Sequence, residues 1–261
     1  AFYLHSDIVA PYLMAYGSED QKQHWLPKMV SGETILAVGM TEPGAGSDLQ
    51  GMKTRAERDG DEYVIHGEKK WNTGGAVASL NTIFAVTAEG RGARGISGLV
   101  VEKDTPGYRV GKHEDKMGIR ASSTRELVFE DCQVPVENLV GSEGAATICM
   151  MRNLEIERLT LAAMSLGIAQ RCVKVMVEYA AERQAFGVPI NRFGQVQRYI
   201  GDSYAKYKAA RTYVYDTARQ LDLSNDHIAP AATLTFCLFA MSAWISSKVR
   251  QSSSKIFSMF L

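Results

Sequence analysis

The sequence predicts an α+β fold in which a sheet of short strands lies between helical segments. Three observations predict it. Residues 34–140 carry β-rich runs of a few residues each, parted by glycine- and proline-containing turns. Residues 147–182 keep a helical period with no proline. Residues 1–33 read as helical pieces that stop at Gly32. The expected domains are a helical segment at 1–33, an antiparallel sheet or small barrel at 34–140, and a second helical domain at 141–261.

Taken in order, the first start signal is Ser18-Glu19-Asp20-Gln21, where Ser18 can cap the helix and Gln21 can reach back to it. Trp25, Leu26 and Met29 then form an apolar stripe. An apolar run at 34–39 leads into Met40-Thr41-Glu42-Pro43-Gly44-Ala45-Gly46-Ser47-Asp48, a tight glycine-containing turn. Asp59-Gly60-Asp61 is a hairpin signal. Strands are expected at 62–66, 82–87, 96–102, 108–110 and 126–130. Beyond Gly141 come the long helix at 147–182 and a helix from 193 to 221. Ser224-Asn225-Asp226 caps a third.

Composition narrows the function classes. The chain has 261 residues, 46% apolar and 22% charged, as a globular protein does. Its 29 basic and 29 acidic residues cancel, which argues against nucleic acid or an anionic membrane surface as the main partner. Cys132, Cys149, Cys172 and Cys237 form no CxxC pair, so neither a disulfide framework nor a zinc site is expected, and a reducing compartment is. The five histidines show no metal-ligand spacing. No signal peptide is read at the start, but the chain begins mid-pattern at Ala1-Phe2-Tyr3, so a targeting segment could have been removed or left out. The apolar patch at 231–246 contains threonines and serines and is too short to span a bilayer, so no membrane insertion is expected.

Four groups of residues could carry chemistry. In the Met40–Asp48 turn, glycines let backbone come close to a ligand, and several N–H donors with the Thr41 and Ser47 hydroxyls could face one polar edge. A dinucleotide fingerprint would have to open a helix, and here a hairpin follows instead. Trp71 and Thr73, two apart on a strand, share a face, so an aromatic wall and a hydroxyl could flank a flat ring. The plainer alternative is a Trp buried in the sheet core. In Glu155-Ile156-Glu157-Arg158, Glu155 has Arg152 and Arg158 at i−3 and i+3 and reads as a paired, solvated or structural carboxylate. Glu157 faces Leu154, Leu161 and Met164, where desolvation would raise its pKa as a general base near neutral pH requires. A glutamate snorkelling from the edge of that face is the alternative. Arg183 either complements the helix C-terminus, with Gly187 as the residue after the cap, or grips a pyrophosphate.

In this order the motifs resemble the acyl-CoA dehydrogenase flavoprotein family over roughly residues 10–222. The set is TEPGAGSD at 41–48, the hairpin ending in Trp71-x-Thr73, GISGLVVEKDTPGY at 95–108, VFEDCQVPVENLVG at 128–141, LEIERLTLAA at 154–163 and ERQAFG at 182–187. The resemblance implies FAD held between the β domain and the C-terminal helices. Its isoalloxazine edge would meet Val38, Gly39, Met40, Thr41, Gly46 and Ser47, with Trp71, Asn72 and Thr73 beside the ring. Arg183, Phe186 and Gln195 would reach an FAD bound mainly by a neighbouring subunit. The implied reaction is α,β-dehydrogenation of an acyl-CoA thioester: a carboxylate takes the α-proton and hydride passes to flavin N5. A ribityl hydroxyl and a backbone N–H would stabilise the developing enolate.

Most relatives carry the base in a C-terminal EGT-like segment that this chain lacks. Isovaleryl- and long-chain-type members place it on the long helix, which puts it at Glu157. Ser47, Ala93, Arg94, Ile148, Glu155, Ile156 and Arg158 match positions around the acyl-CoA in isovaleryl-type relatives. The implied setting is a homotetramer or homodimer, with electron-transfer flavoprotein as acceptor, in the mitochondrial matrix of a eukaryote or otherwise the cytoplasm. An acyl-CoA oxidase on the same scaffold and a non-catalytic flavin- or acyl-CoA-binding scaffold are the rivals. Departures are Gln195 one place late after Phe193, Asn72 at an apolar position and Ile148 at a tyrosine position. The resemblance further implies that terminal parts of the family fold, including a glycine-rich FAD-binding segment, have no counterpart here.

Overall fold

The computed structural model describes residues 2–223. The chain divides into two compact units, Ala1–Leu154 and Glu155–Leu261. The division falls inside a helix, and the first helices belong with the sheet rather than apart from it. The helix expected after Ser224 and the apolar patch at 231–246 lie outside the described residues.

The first unit opens with a π-helical turn, Leu4–Val9, that runs into α1 (Ala10–Tyr16), followed by α2 (Glu19–Ser31). The capping box forms as expected: Ser18 Oγ accepts from Gln21 N at 3.1 Å, and Gln21 Oε1 accepts from Ser18 N at 3.0 Å. Gly32 ends α2 at φ 79°, a left-handed conformation that a Cβ disfavours. Gln21 also donates to Glu137 O and Leu139 O, tying the helix start to the far end of the sheet. His5 bridges the other end, its Nδ1 accepting from Leu36 N while Nε2 lies 3.1 Å from Met29 O. That ring is structural.

Eight strands make one sheet: β1 (Leu36–Gly39), β2 (Arg55–Asp59), β3 (Glu62–Thr73), β4 (Leu80–Val86), β5 (Ile96–Glu102), β6 (Tyr108–His113), β7 (Thr124–Pro135) and β8 (Leu139–Val140). Their order is β6-β7-β3-β2-β4-β5-β8, with β1 beside β4. The α+β class holds, but the sheet is mixed, not purely antiparallel. β1 runs parallel to β4 from Leu36↔Leu80 to Gly39↔Ile83, and Arg55 of β2 meets Val86 in the same sense. Parallel neighbours need a long connection, and residues 40–79 supply it. β4 is buried on both faces, which is why it reads as an apolar run: Leu80 joins the core under the helices, whereas Ile83 and Ala85 join the opposite core with Leu99, Leu127 and Phe129.

α3 (Ala146–Glu182) starts in the first unit, where Ala146, Cys149 and Met150 pack with Tyr12, Phe84 and Met52. In the second unit, α3 and α4 (Gly194–Leu223) share a core of Ala162, Leu166, Ala169, Tyr207, Ala210 and Val214. Between them lies a short hairpin, β9 (Gln184–Ala185) and β10 (Val188–Pro189). Its turn residues, Phe186 and Gly187, have φ 53° and 77°, the left-handed pair of a type I′ hairpin turn. Gly187 is therefore a hairpin residue and not the glycine closing α3. Among the described residues, α3 is long and apolar enough to cross a membrane by length and composition, with mean hydropathy 1.3, but a soluble core helix passes the same test.

Candidate functional site

The Met40–Asp48 turn is held from beneath. Glu42-Pro43-Gly44-Ala45 closes on itself, Glu42 N donating to Ala45 O at 2.9 Å and Ala45 N to Glu42 O at 3.2 Å. The Glu42 side chain turns inward and accepts from Lys53 N (2.6 Å), Thr54 N (3.0 Å) and Lys69 Nζ (2.7 Å). Both partners of that ion pair are buried, the side chains of Lys69 and Glu42 being 0% and 5% exposed. Burial acts to raise the Glu42 carboxyl, but the Lys69 charge and the converging donors outweigh it and hold the group below the usual carboxylate range. Burial pulls the Lys69 ammonium down against the opposing pull of Glu42. Since Glu42 is so fully supplied with donors, the pair stands as ionised.

β3 carries the aromatic wall. Its register against β7 slips between Lys69 and Asn72, which places a β-bulge at Lys70-Trp71. Trp71 has φ 63°, a left-handed conformation rare for a bulky residue, and is 50% exposed. It is not the core tryptophan of the plainer reading. Thr73 is half-buried, and Asn72 between them is buried. Asn72 spends its amide on Arg125 O at 3.1 Å and packs against Gly39, where an added Cβ would lie 2.7 Å from Ile83 Cδ1 and 3.3 Å from Asn72 Oδ1. Lys70 N donates to Thr41 O at 2.7 Å, joining the bulge to the turn. Gly39 and Thr41 thus meet Asn72 and Lys70, the neighbours of Trp71, along one seam.

Gly46 and Ser47 are exposed at the turn's outer side. A Cβ on Gly46 would meet no described atom within 4 Å, and its φ lies outside the left-handed region, so neither crowding nor backbone strain asks for glycine. A flat ring with a polar edge fits the surface: Gly46 leaves room for it, the turn offers N–H and hydroxyl donors, and Trp71 supplies an aromatic wall.

Of the expected acyl-CoA contacts of this unit, Ala93 and Arg94 lie on a second loop and Ile148 in the first turn of α3, while Ser47 belongs to the glycine turn. Thr147 Oγ1, in the first turn of α3, donates to Ala93 O at 2.6 Å, and a Cβ on Gly144 would lie 2.4 Å from Arg94 O. Ala93, Arg94 and the 61% exposed Ile148 are therefore neighbours. The core that packs Ala45, Met52 and Leu49 under the turn also contains Ala146, Cys149 and Met150.

In the second unit, Glu157 is half-buried among Ile156, Arg158 and Leu161, themselves half-buried. Burial raises its carboxyl above the usual range, and the adjacent Arg158 only partly opposes this. Of the readings open to Glu155 the paired one is not met: among the described residues it pairs with neither Arg152 nor Arg158, and its buried Oε2 has no hydrogen-bond partner. An i,i+3 pair needs both heads at the helix surface, and this carboxyl is turned inward. Arg183 is exposed just beyond α3, with its backbone bonded to Tyr179 O and Ile190 N. Phe186 stands 85% exposed at the hairpin tip with its ring edge-on to Phe193 at 6.1 Å, and exposed Gln195 follows at the start of α4.

Sequence reading missed the Lys69–Glu42 pair. Its signal was present: Tyr63, Ile65, Gly67 and Lys69 alternate inward, so a lysine on that parity needs a buried carboxylate.

Family descriptions match in chain order: the acyl-CoA dehydrogenase N-terminal domain at residues 1–33, its middle domain at 37–132 and its C-terminal domain at 147–251. The chain is 42% identical over 219 residues to a 2-methylacyl-CoA dehydrogenase, mitochondrial, of Solanum tuberosum, covering 84% of this chain and 53% of the relative. It is 42% identical over 218 residues to an isovaleryl-CoA dehydrogenase, mitochondrial, of Oryza sativa subsp. japonica, with the same coverage. The crystal structure of acyl-CoA dehydrogenase from Geobacillus kaustophilus superposes with a TM-score of 0.92 at 37% identity, over 95% of this chain and 66% of that one. The chain spans about half the length of the curated relatives it matches. With its motifs, its fold and all three domain matches in agreement, the chain belongs to the acyl-CoA dehydrogenase family.

Proposed function

We propose that this protein is an FAD-dependent acyl-CoA dehydrogenase acting on isovaleryl-CoA or another short or branched acyl-CoA, with Glu157 as the base. The observation that carries the reading is the pinned glycine turn beside a solvent-facing Trp71 on a bulged strand, an arrangement that the folded chain itself gives no reason for. Val38–Thr41, Gly46 and Ser47 would hold the polar edge of FAD, with Trp71, Asn72 and Thr73 beside it, and Arg183, Phe186 and Gln195 would serve an FAD in an adjoining subunit of a homo-oligomer. Bound FAD would supply the hydride acceptor.

The chain's own residues do the rest. A carboxylate with a raised pKa is the right group to take an α-proton near neutral pH, because its basicity is matched to the task. Glu157 has that property by burial. Ser47, Ala93, Arg94, Ile148, Glu155, Ile156 and Arg158 would orient the thioester. Electron-transfer flavoprotein would reoxidise the enzyme, in the mitochondrial matrix of a eukaryote or the cytoplasm of a bacterium. The segments 1–33, 34–140 and 141–261 would be the N-terminal helical, β and C-terminal helical portions of the family fold.

The test is anaerobic titration of the purified protein with a panel of acyl-CoAs, following the flavin absorption. A yellow protein bleached by isovaleryl-CoA is expected, and Glu157→Gln should keep its FAD yet lose most of the bleaching, since an amide cannot take the proton. A colourless protein would sink the reading, and wild-type bleaching in Glu157→Gln would sink the base. Peroxide formed in air at the rate of substrate oxidation would reassign it to an oxidase.

A further inference from the structure

The Lys69–Glu42 pair takes no part in the chemistry above, yet it touches the turn at its most consequential point. Lys69 Nζ lies 2.7 Å from Glu42 Oε1, 3.4 Å from Met40 O and 3.9 Å from Met52 Sδ. Met40 O therefore faces the ammonium, and Thr41 O faces Lys70 N. A peptide unit is planar and trans, so its N–H points opposite to its C=O. The Thr41 N–H shares a peptide with Met40 O and must point away from Lys69 and from β3. Among the described residues it meets no backbone acceptor, whereas the next N–H, of Glu42, is taken by Ala45 O. An ammonium with 0% exposure cannot leave its partners for water, so it fixes the sense of that peptide.

We propose that Lys69 is a positioning residue for the cofactor: by pinning the Met40 carbonyl it presents the Thr41 N–H to the polar edge of bound flavin. The inference rests on the FAD reading above and adds to it a residue that does not touch the ring. Glu42 serves by keeping Lys69 charged and in place. The same pair anchors the turn to Lys53 and Thr54, so the peptide and the turn are set together.

The test is FAD rebinding to apoprotein, read by flavin fluorescence quenching, for wild type and for the double variant K69M/E42Q. The double variant removes both charges with groups of similar size, so that no lone charge is left buried. Its apoprotein should melt with the wild type, bind FAD about tenfold more weakly, as loss of one directed hydrogen bond implies, and show a shifted visible flavin band. A folded double variant with wild-type Kd and spectrum would overturn the proposal. Amide hydrogen exchange in the wild type gives a second measurement that needs no variant. The Thr41 N–H should exchange freely in apoprotein and become protected by FAD, while the Glu42 N–H is protected in both. A Thr41 N–H that exchanges alike with and without FAD would overturn the proposal even where the variant fails to fold. A wild type that takes up no FAD would overturn the functional reading and this inference together, which separates the two failures.

Discussion

Glu157 and Gly39 show at single positions how burial can be spent on chemistry or on packing. Because burial holds the Glu157 carboxyl above its ordinary range, ionising it costs folding free energy. The raised folded-state pKa means that the stability is fully present below the unfolded carboxyl's pKa and is lost as pH rises through the folded one. Glu157→Gln should therefore match the wild type in acid and become the more stable protein as pH climbs through that window, as urea titrations at a series of pH values would show. A constant gap across pH would contradict the desolvation argument. Gly39 has the opposite character. Its added Cβ would sit 2.7 Å from Ile83 Cδ1 and 3.1 Å from Lys69 Cγ, so Gly39→Ala should cost about 1–3 kcal/mol in urea denaturation. Of the residue scale, the desolvated Glu157 was legible, since an acid in a stripe of leucines is a local pattern. The inward turn of Glu155 was not, and of the Lys69–Glu42 pair only the inward parity of Lys69 was, because which carboxylate meets it is set by the tertiary fold.

Elements divide in the same way between local and distant causes. α2 is written in its own sequence: Ser18 and Gln21 cap it and Gly32 ends it. Ser18→Ala should lower stability by about 1 kcal/mol by chemical denaturation. A larger loss would mean that the Gln21 bonds to Glu137 O and Leu139 O fail with the cap. The β2–β3 hairpin was legible from Asp59-Gly60-Asp61, and α3 and α4 from their period. The parallel seat of β1 on β4 was not, since it joins residues 44 apart in Leu36↔Leu80. β2 was also obscure: of Arg55-Ala56-Glu57-Arg58-Asp59 only Ala56 is buried, and pairing with β3 makes it a strand. Nor could alternation foresee the Lys70-Trp71 bulge, which lets Lys69 and Asn72 both face inward. β5 is the opposite extreme. Leu99 is 0% exposed, and Leu99→Ala should cost about 2–5 kcal/mol, read by the same denaturation. A loss under about 1 kcal/mol would show that this face of the sheet relaxes around the cavity.

At the scale of the whole chain, the zero formal net charge and pI near 7.2 set the behaviour toward charged surfaces. At that pH and low salt the protein should pass both cation- and anion-exchange media with little retention. Strong retention on a cation exchanger would reveal a basic face that the overall balance hides. Fold class and family were legible at this scale because ordered motifs survive without knowledge of the fold. The boundary at Leu154 was not, because it falls within α3, where neither composition nor period changes. One contact reaches furthest in practice. Gly144 has φ 76°, and the atom a side chain there would strike is the Arg94 carbonyl. Position 144 is thus a handle for protein engineers: a single methyl placed there would have to shoulder the 92–95 loop aside or strain its own backbone, moving that loop without altering any residue in it.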